Sequence, residues 1–98
     1  MTTIHVEVTQ ADIDGAERGS PMHCPIARAL WRITGLTCSV GSLDIDAWRE
    51  GGSEGLAWEA RTPTVAANFI RAFDNKMPVS PFTFTLDIPA PATEGERK

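Results

Sequence analysis

The 98-residue chain holds 13 acidic residues against 9 Lys and Arg, for a net charge of −4, with 42% hydrophobic and 22% charged residues. That composition belongs to one ordinary globular domain with a thin core. It excludes a helical membrane span, for which no apolar run approaches roughly 18 residues. It also excludes a disulfide scaffold, since there are only two cysteines, and the acid excess disfavours direct nucleic-acid binding. The opening MTTIHVEVTQ lacks the basic stretch of a secretory signal. The expectation is a cytoplasmic protein with reduced thiols, no membrane partner and no cofactor.

In chain order, residues 3–9 predict a strand, with Ile4, Val6 and Val8 alternating against His5, Glu7 and Thr9. Residues 10–23 read as a turn-rich connection, with at most one helical turn over Gln10 to Glu17 that Gly15 weakens. A helix is predicted over 24–35. Pro25 suits its first position, Ile26, Leu30 and Ile33 form an apolar stripe that Ala27 and Trp31 widen, and Gly35 stops it. Residues 37–48 predict two short strands with a bulge or bend at Gly41-Ser42, where the apolar phase slips. Leu43, Ile45 and Ala47 are assigned inward, and Asp44, Asp46 and Trp48 outward. After a loop containing Glu50 and Glu54, residues 56–61 return as a strand with Leu56, Trp58 and Ala60 inward. Thr62 and Pro63 read as the cap and first position of a helix over 63–75, whose core stripe is Val65, Phe69, Ile70 and Phe73. Residues 81–88 alternate most regularly of all. Residues 1–89 thus make one domain, and 90–98 read as a disordered tail.

The order strand, helix, strand, strand, helix, strand predicts a ferredoxin-like βαββαβ fold of the α+β class: a four-stranded antiparallel sheet with two helices on one face. A less regular sheet, in which residues 37–61 form a three-stranded meander split at Gly41-Ser42, is the alternative. The core is predicted at Ile4, Val6, Val8, Leu30, Ile45, Trp58, Phe69, Phe73, Phe84 and Leu86. Either way an open face remains, bearing His5, Glu7, Thr9, Asp44, Asp46, Trp48, Glu59, Arg61, Thr83, Thr85 and Asp87. RNA-binding domains of the ferredoxin-like fold place stacking aromatics on the central strands. His5, Glu7, Glu59 and Arg61 stand there instead, and they make a poor RNA platform.

Catalytic motifs are sparse. Cys24 next to His23 at a helix start is the one candidate nucleophile, because a helix N-terminus and an imidazolium both lower a thiol pKa. Its plainer role is an N-cap. His5, His23, Cys24 and Cys38 are enough in number for a structural zinc, but their spacing fits no zinc signature. Asp12-Ile13-Asp14-Gly15 resembles the start of a calcium loop, but position 23 is His where a Glu is required. Gly51, Gly52 and Gly55 lack the Lys-Ser/Thr of a phosphate loop. Arg18, Arg28, Arg32 and Arg71 could form a small basic patch on the helices.

Three segments carry a resemblance: Val8-Thr9-Gln10-Ala11-Asp12-Ile13-Asp14, Cys24-Pro25-Ile26-Ala27-Arg28-Ala29-Leu30, and Pro81-Phe82-Thr83-Phe84-Thr85-Leu86. Over residues 4–35 and 65–88 the chain resembles a group of small proteins carried by phages and prophages. The resemblance implies a mobile-element setting, where small acidic proteins are often inhibitors of host defence, anti-CRISPR proteins among them. It supplies no catalytic residues.

The expected function is therefore a small acidic, non-enzymatic protein that binds and inhibits a host protein, such as a CRISPR–Cas or other nucleic-acid-binding complex. The binding residues would be Asp44, Asp46, Trp48, Glu50, Glu54 and Glu59. Segment 42–60 holds five acidic residues and one arginine, a local net of −4, which suits a partner groove lined with Lys and Arg. The alternatives are a nucleic-acid-binding accessory protein using Arg18, Arg28 and Arg32, or a small thiol- or metal-dependent enzyme using Cys24 and His23. The chain is expected to be a monomer or a homodimer.

Overall fold

In the computed structural model, which describes residues 2–49 and 55–89, the chain runs β1 (Thr2–Val8), α1 (Gln10–Asp14), α2 (Pro25–Thr34), β2 (Thr37–Val40), β3 (Asp44–Trp48), β4 (Trp58–Arg61), α3 (Thr64–Asp74) and β5 (Phe82–Ile88). The fold is α+β with antiparallel strands throughout. The predicted loop with Glu50 and Glu54, and the predicted tail 90–98, lie outside the described residues.

Instead of one four-stranded ferredoxin-like sheet there are two sheets, β1–β5 and β2–β3–β4. The reason lies at Gly41-Ser42. The chain turns there, with the Gly41 N–H donating to Asp44 O at 2.9 Å, so residues 37–48 become a hairpin. β3 then has both edges occupied, by β2 and β4. The remaining edge of β4 lies beside β5, not β1. The meander read as the alternative in the sequence is the one that forms.

β1 and β5 pair in a register that places Ile4 opposite Leu86, Val6 opposite Phe84 and Val8 opposite Phe82. Apolar side chains thereby meet on one face, with Thr3, His5 and Glu7 facing Asp87, Thr85 and Thr83 on the other. Phe69 of α3 stacks on Phe82 at a centroid distance of 4.5 Å, and Phe82 on Phe84 at 5.5 Å. The meander contributes Cys38, Val40, Ile45, Ala47, Trp58 and Ala60 to the same core.

α2 joins the two sheets. It packs on both β1 and β2, with Ile26, Ala29 and Leu30 fully buried. Cys24 is its N-cap, Pro25 occupies the first turn, and Gly35 closes it at φ 76°, a left-handed conformation that a side chain would strain. The Gly35 N–H donates to Trp31 O at 2.8 Å. Ahead of it, α1 is a real helix of five residues. The Asp12 N–H donates to Thr9 Oγ1 at 3.2 Å and the Thr9 N–H to Asp12 Oδ2 at 2.9 Å, a reciprocal capping box.

Of the predicted core, Val6, Val8, Leu30, Ile45, Trp58, Phe73, Phe84 and Leu86 are buried, while Ile4 and Phe69 are partly so. Several inward assignments are corrected. Leu43 is 70% exposed, because it sits in the turn before β3 and outside the strand's alternation. Leu56 is exposed because β4 begins only at Trp58. Trp31 and Ile33 are exposed too, because the buried face of α2 centres on residues 25–30 and leaves its last turn uncovered, and Val65 is exposed in the first turn of α3, whose buried residues are Ala66 and Phe73. Thr62 does not cap α3, which starts at Thr64 behind Pro63. Its hydroxyl donates instead to Gly41 O at 2.7 Å, tying the start of α3 to the β2–β3 turn.

Candidate functional site

Period-2 alternation on the meander turns Ser39, Asp44, Asp46, Trp48, Glu59 and Arg61 away from the core. The pairing then sets them in rows. Ser39 stands opposite Asp46, which stands opposite Glu59. Asp44 stands opposite Arg61, and Trp48 opposite Thr37. Four of the six predicted binding residues, Asp44, Asp46, Trp48 and Glu59, are thus gathered on one three-stranded surface. Glu50 and Glu54 lie outside the described residues.

The central row is electrostatically uncomfortable. Like charges directly opposite one another destabilise a sheet, and Asp46 with Glu59 is such a pair. The hydrogen bond that a protonated Glu59 would make to Asp46 is the leading influence that raises the Glu59 carboxyl, followed by charge repulsion from Asp46, desolvation and repulsion from Asp44. Asp46 Oδ1 is shielded from solvent and has no hydrogen-bond partner among the described residues. Arg61 does not relieve the pair: the one ion pair among the described residues is elsewhere. Trp48 is half-buried at the end of β3, leaving part of its indole open. Beside Glu59, a shallow groove of about 450 Å³ runs between β4 and β5, lined by Glu59, Arg61, Thr85 and Asp87 among others. The outward faces of the two sheets meet along this groove.

The thiol candidate is not assembled as a nucleophile. Cys24 is 1% exposed. Its Sγ accepts from the Ala27 N–H at 3.4 Å, the N-cap role. Burial raises its pKa, against the lowering effect of the Ala27 and Ile26 backbone donors. His23 is exposed and its Nδ1 is hydrogen-bonded with Ser20 Oγ at 2.9 Å. Cys38 is buried, and burial, reinforced by Cys24, pushes its thiol up to about 12. Both thiols are free. No group of three or more His, Cys, Asp or Glu side chains that could hold a metal occurs among the described residues.

Arg18, which lies in the turn between α1 and α2, and the helix residues Arg28, Arg32 and Arg71 do not act together. Arg32 Nη2 donates to Asp12 Oδ2 at 2.7 Å and to Glu7 O at 2.8 Å. Arg18 lies over the Phe73 ring at 5.3 Å and donates to Phe73 O. Arg71 donates to Asn68. Arg28 alone has no carboxylate or carbonyl partner among the described residues. The ion pair of Asp12 with Arg32 is a feature that the sequence reading did not find. Its one signal was the Thr-x-x-Asp pattern at Thr9, which marks a capped helix.

No family model matches the chain, and no curated protein or solved structure shows detectable similarity to it. No helix among the described residues is long and apolar enough to cross a membrane.

Proposed function

We propose that the protein acts by binding rather than by chemistry, through the outward face of the β2–β3–β4 meander, and that its partner is a protein with a Lys- and Arg-lined groove of the kind that handles nucleic acid. The observation that carries this reading is the Asp46–Glu59 row. A like-charged cross-strand pair with a shielded, unpartnered carboxylate oxygen lowers the stability of the free protein. Arginine or lysine from a partner, placed against the outward side of the Asp46–Glu59 pair, would remove the repulsion, so the energy withheld from folding is returned on association. Asp44 extends the negative potential, which speeds encounter with a basic surface. Trp48 adds an aromatic contact of the type that holds a complex together once formed. In a mobile element, occupation of such a groove would keep a host defence complex from nucleic acid.

The test uses an arginine-rich peptide as probe and the Trp48 indole N–H signal of an NMR spectrum as readout. Wild type should bind saturably, and the affinity should fall steeply as salt rises past the point where the screening length is about 8–10 Å. The double change Asp44→Lys with Asp46→Lys should abolish binding and leave the circular dichroism spectrum unchanged. A double variant that binds the peptide as wild type does would overturn the proposal. So would binding that ignores salt.

A further inference from the structure

The outer surface of α2 carries a second concavity, which meets the meander only at the start of β2. It has a volume of about 550 Å³, within the range of small-molecule sites. Its walls come from α1 (Asp12), from the loop before α2 (Met22, His23), from α2 itself (Arg28, Trp31, Arg32) and from the start of β2. Two of its apolar walls are unusually open: Trp31 is 48% and Met22 43% exposed.

Charge sets its character. Arg32 is neutralised by Asp12 at 2.7 Å. Arg28 has no acceptor among the described residues, so the cleft holds one uncommitted positive charge on a chain of net −4. The Arg28 guanidinium also packs over Gly15. It lies so close over Gly15 that a Cβ there would come within 2.6 Å of Nη2. Gly15 itself has φ −90°, open to any residue. What its missing side chain provides is room for the guanidinium.

From this juxtaposition we infer that the α2 cleft is a binding site for a small planar aromatic anion, its ring against Trp31 and Met22 and its negative group on Arg28. The spacing narrows the class. Residues three apart on a helix have Cβ atoms about 5–6 Å apart, and Arg28 reaches toward Gly15. Ring and charge in the ligand are therefore separated by several bonds, as in a nucleoside monophosphate, not joined directly as in an aryl carboxylate. A single guanidinium suits a mononucleotide, whereas the chain's overall negative charge repels a polymer of phosphates.

The full chain can be tested directly, because its three tryptophans report separately. Trp58 is buried and Trp48 stands on the acidic face, so the indole N–H signals of an NMR spectrum distinguish the sites. Adenosine 5′-monophosphate should shift the Trp31 signal saturably, with a Kd of about 1 mM or tighter, and leave those of Trp48 and Trp58 in place. Adenosine, inorganic phosphate and benzoate should each bind about tenfold more weakly or not at all, since each lacks the ring, the charge or the separation. Arg28→Ala should weaken binding about tenfold or more. Gly15→Ala should weaken it too, because its Cβ would push the Arg28 guanidinium from its present position. An unmoved Trp31 signal at about 10 mM nucleotide, adenosine binding as well as its monophosphate, or Arg28→Ala binding as wild type does would each overturn the assignment. None of these outcomes depends on the acidic face.

Discussion

Asp12 is the one charged residue among the described residues that the fold buries, at 5% exposed. Burial works to raise its carboxyl, but the Arg32 guanidinium and the Thr9 N–H together hold it below the usual carboxylate range. A lowered pKa contributes stability that is present above the unfolded value of about 3.9 and is lost as the pH falls through the folded value. Asp12→Asn should therefore destabilise the protein at pH 7, by about 1–2 kcal/mol given that Arg32 is half-exposed. The gap to wild type should close in urea titrations below about pH 4. A gap unchanged at pH 3 would mean that the ion pair contributes nothing. The two thiols behave differently. Cys24 and Cys38 are buried with raised pKa values, so neither should react with a disulfide reagent at neutral pH until the chain unfolds. Rapid labelling of Cys24 in the native state would restore the nucleophile reading.

Between residues and the whole molecule, the strands were the most legible part of the sequence. Period-2 patterning placed Ile45 and Trp58 inward and Asp44, Asp46, Glu59 and Trp48 outward, and the structure agrees. It misplaced Leu43 and Leu56, because alternation has meaning only inside a strand, and both lie beyond the strand ends. Thr62 was misread because a hydroxyl before proline reads as a cap, whereas its partner, Gly41 O, is 21 residues away. What patterning could not show is the cross-strand register, and register is what makes Asp46 and Glu59 neighbours. That pair gives β3 and β4 their own test. The Glu59 carboxyl is raised by Asp46, so it contributes stability below its unfolded value of about 4.3 that is lost as the pH rises through the folded value. Glu59→Gln should raise the melting temperature at pH 7 and flatten the stability profile just above that value. A variant less stable than wild type at pH 7 would show that Glu59 is satisfied where it stands. In α3, Phe69 is only partly buried against Phe82. Phe69→Ala should cost about 2–3 kcal/mol, less than a fully buried phenylalanine.

At the scale of the whole molecule, one apolar core serves two sheets that share no backbone ladder. The division into sheets was not legible in the sequence, because alternation fixes which face of a strand is buried and not which strand lies beside it. A two-stranded sheet such as β1–β5 is at best marginally stable alone. Its persistence therefore depends on what packs against it, and α2 packs on both β1 and β2. Leu30 is fully buried at the middle of that helix, in the same cluster as Val6, Val8, Phe84 and Ile45. If α2 couples the sheets, Leu30→Ala should cost about 2–5 kcal/mol, and the loss should be shared. Amide hydrogen exchange in β1 and β5 should accelerate by the same factor as in β2, β3 and β4, because both sheets open only with the whole molecule. Thermal unfolding should remain a single transition whether followed by tryptophan fluorescence, which reports tertiary packing, or by far-ultraviolet circular dichroism, which reports secondary structure. If the variant instead freed β1–β5 to exchange while the meander kept its protection, the two sheets would be separate cooperative units, and α2 would belong to one of them alone.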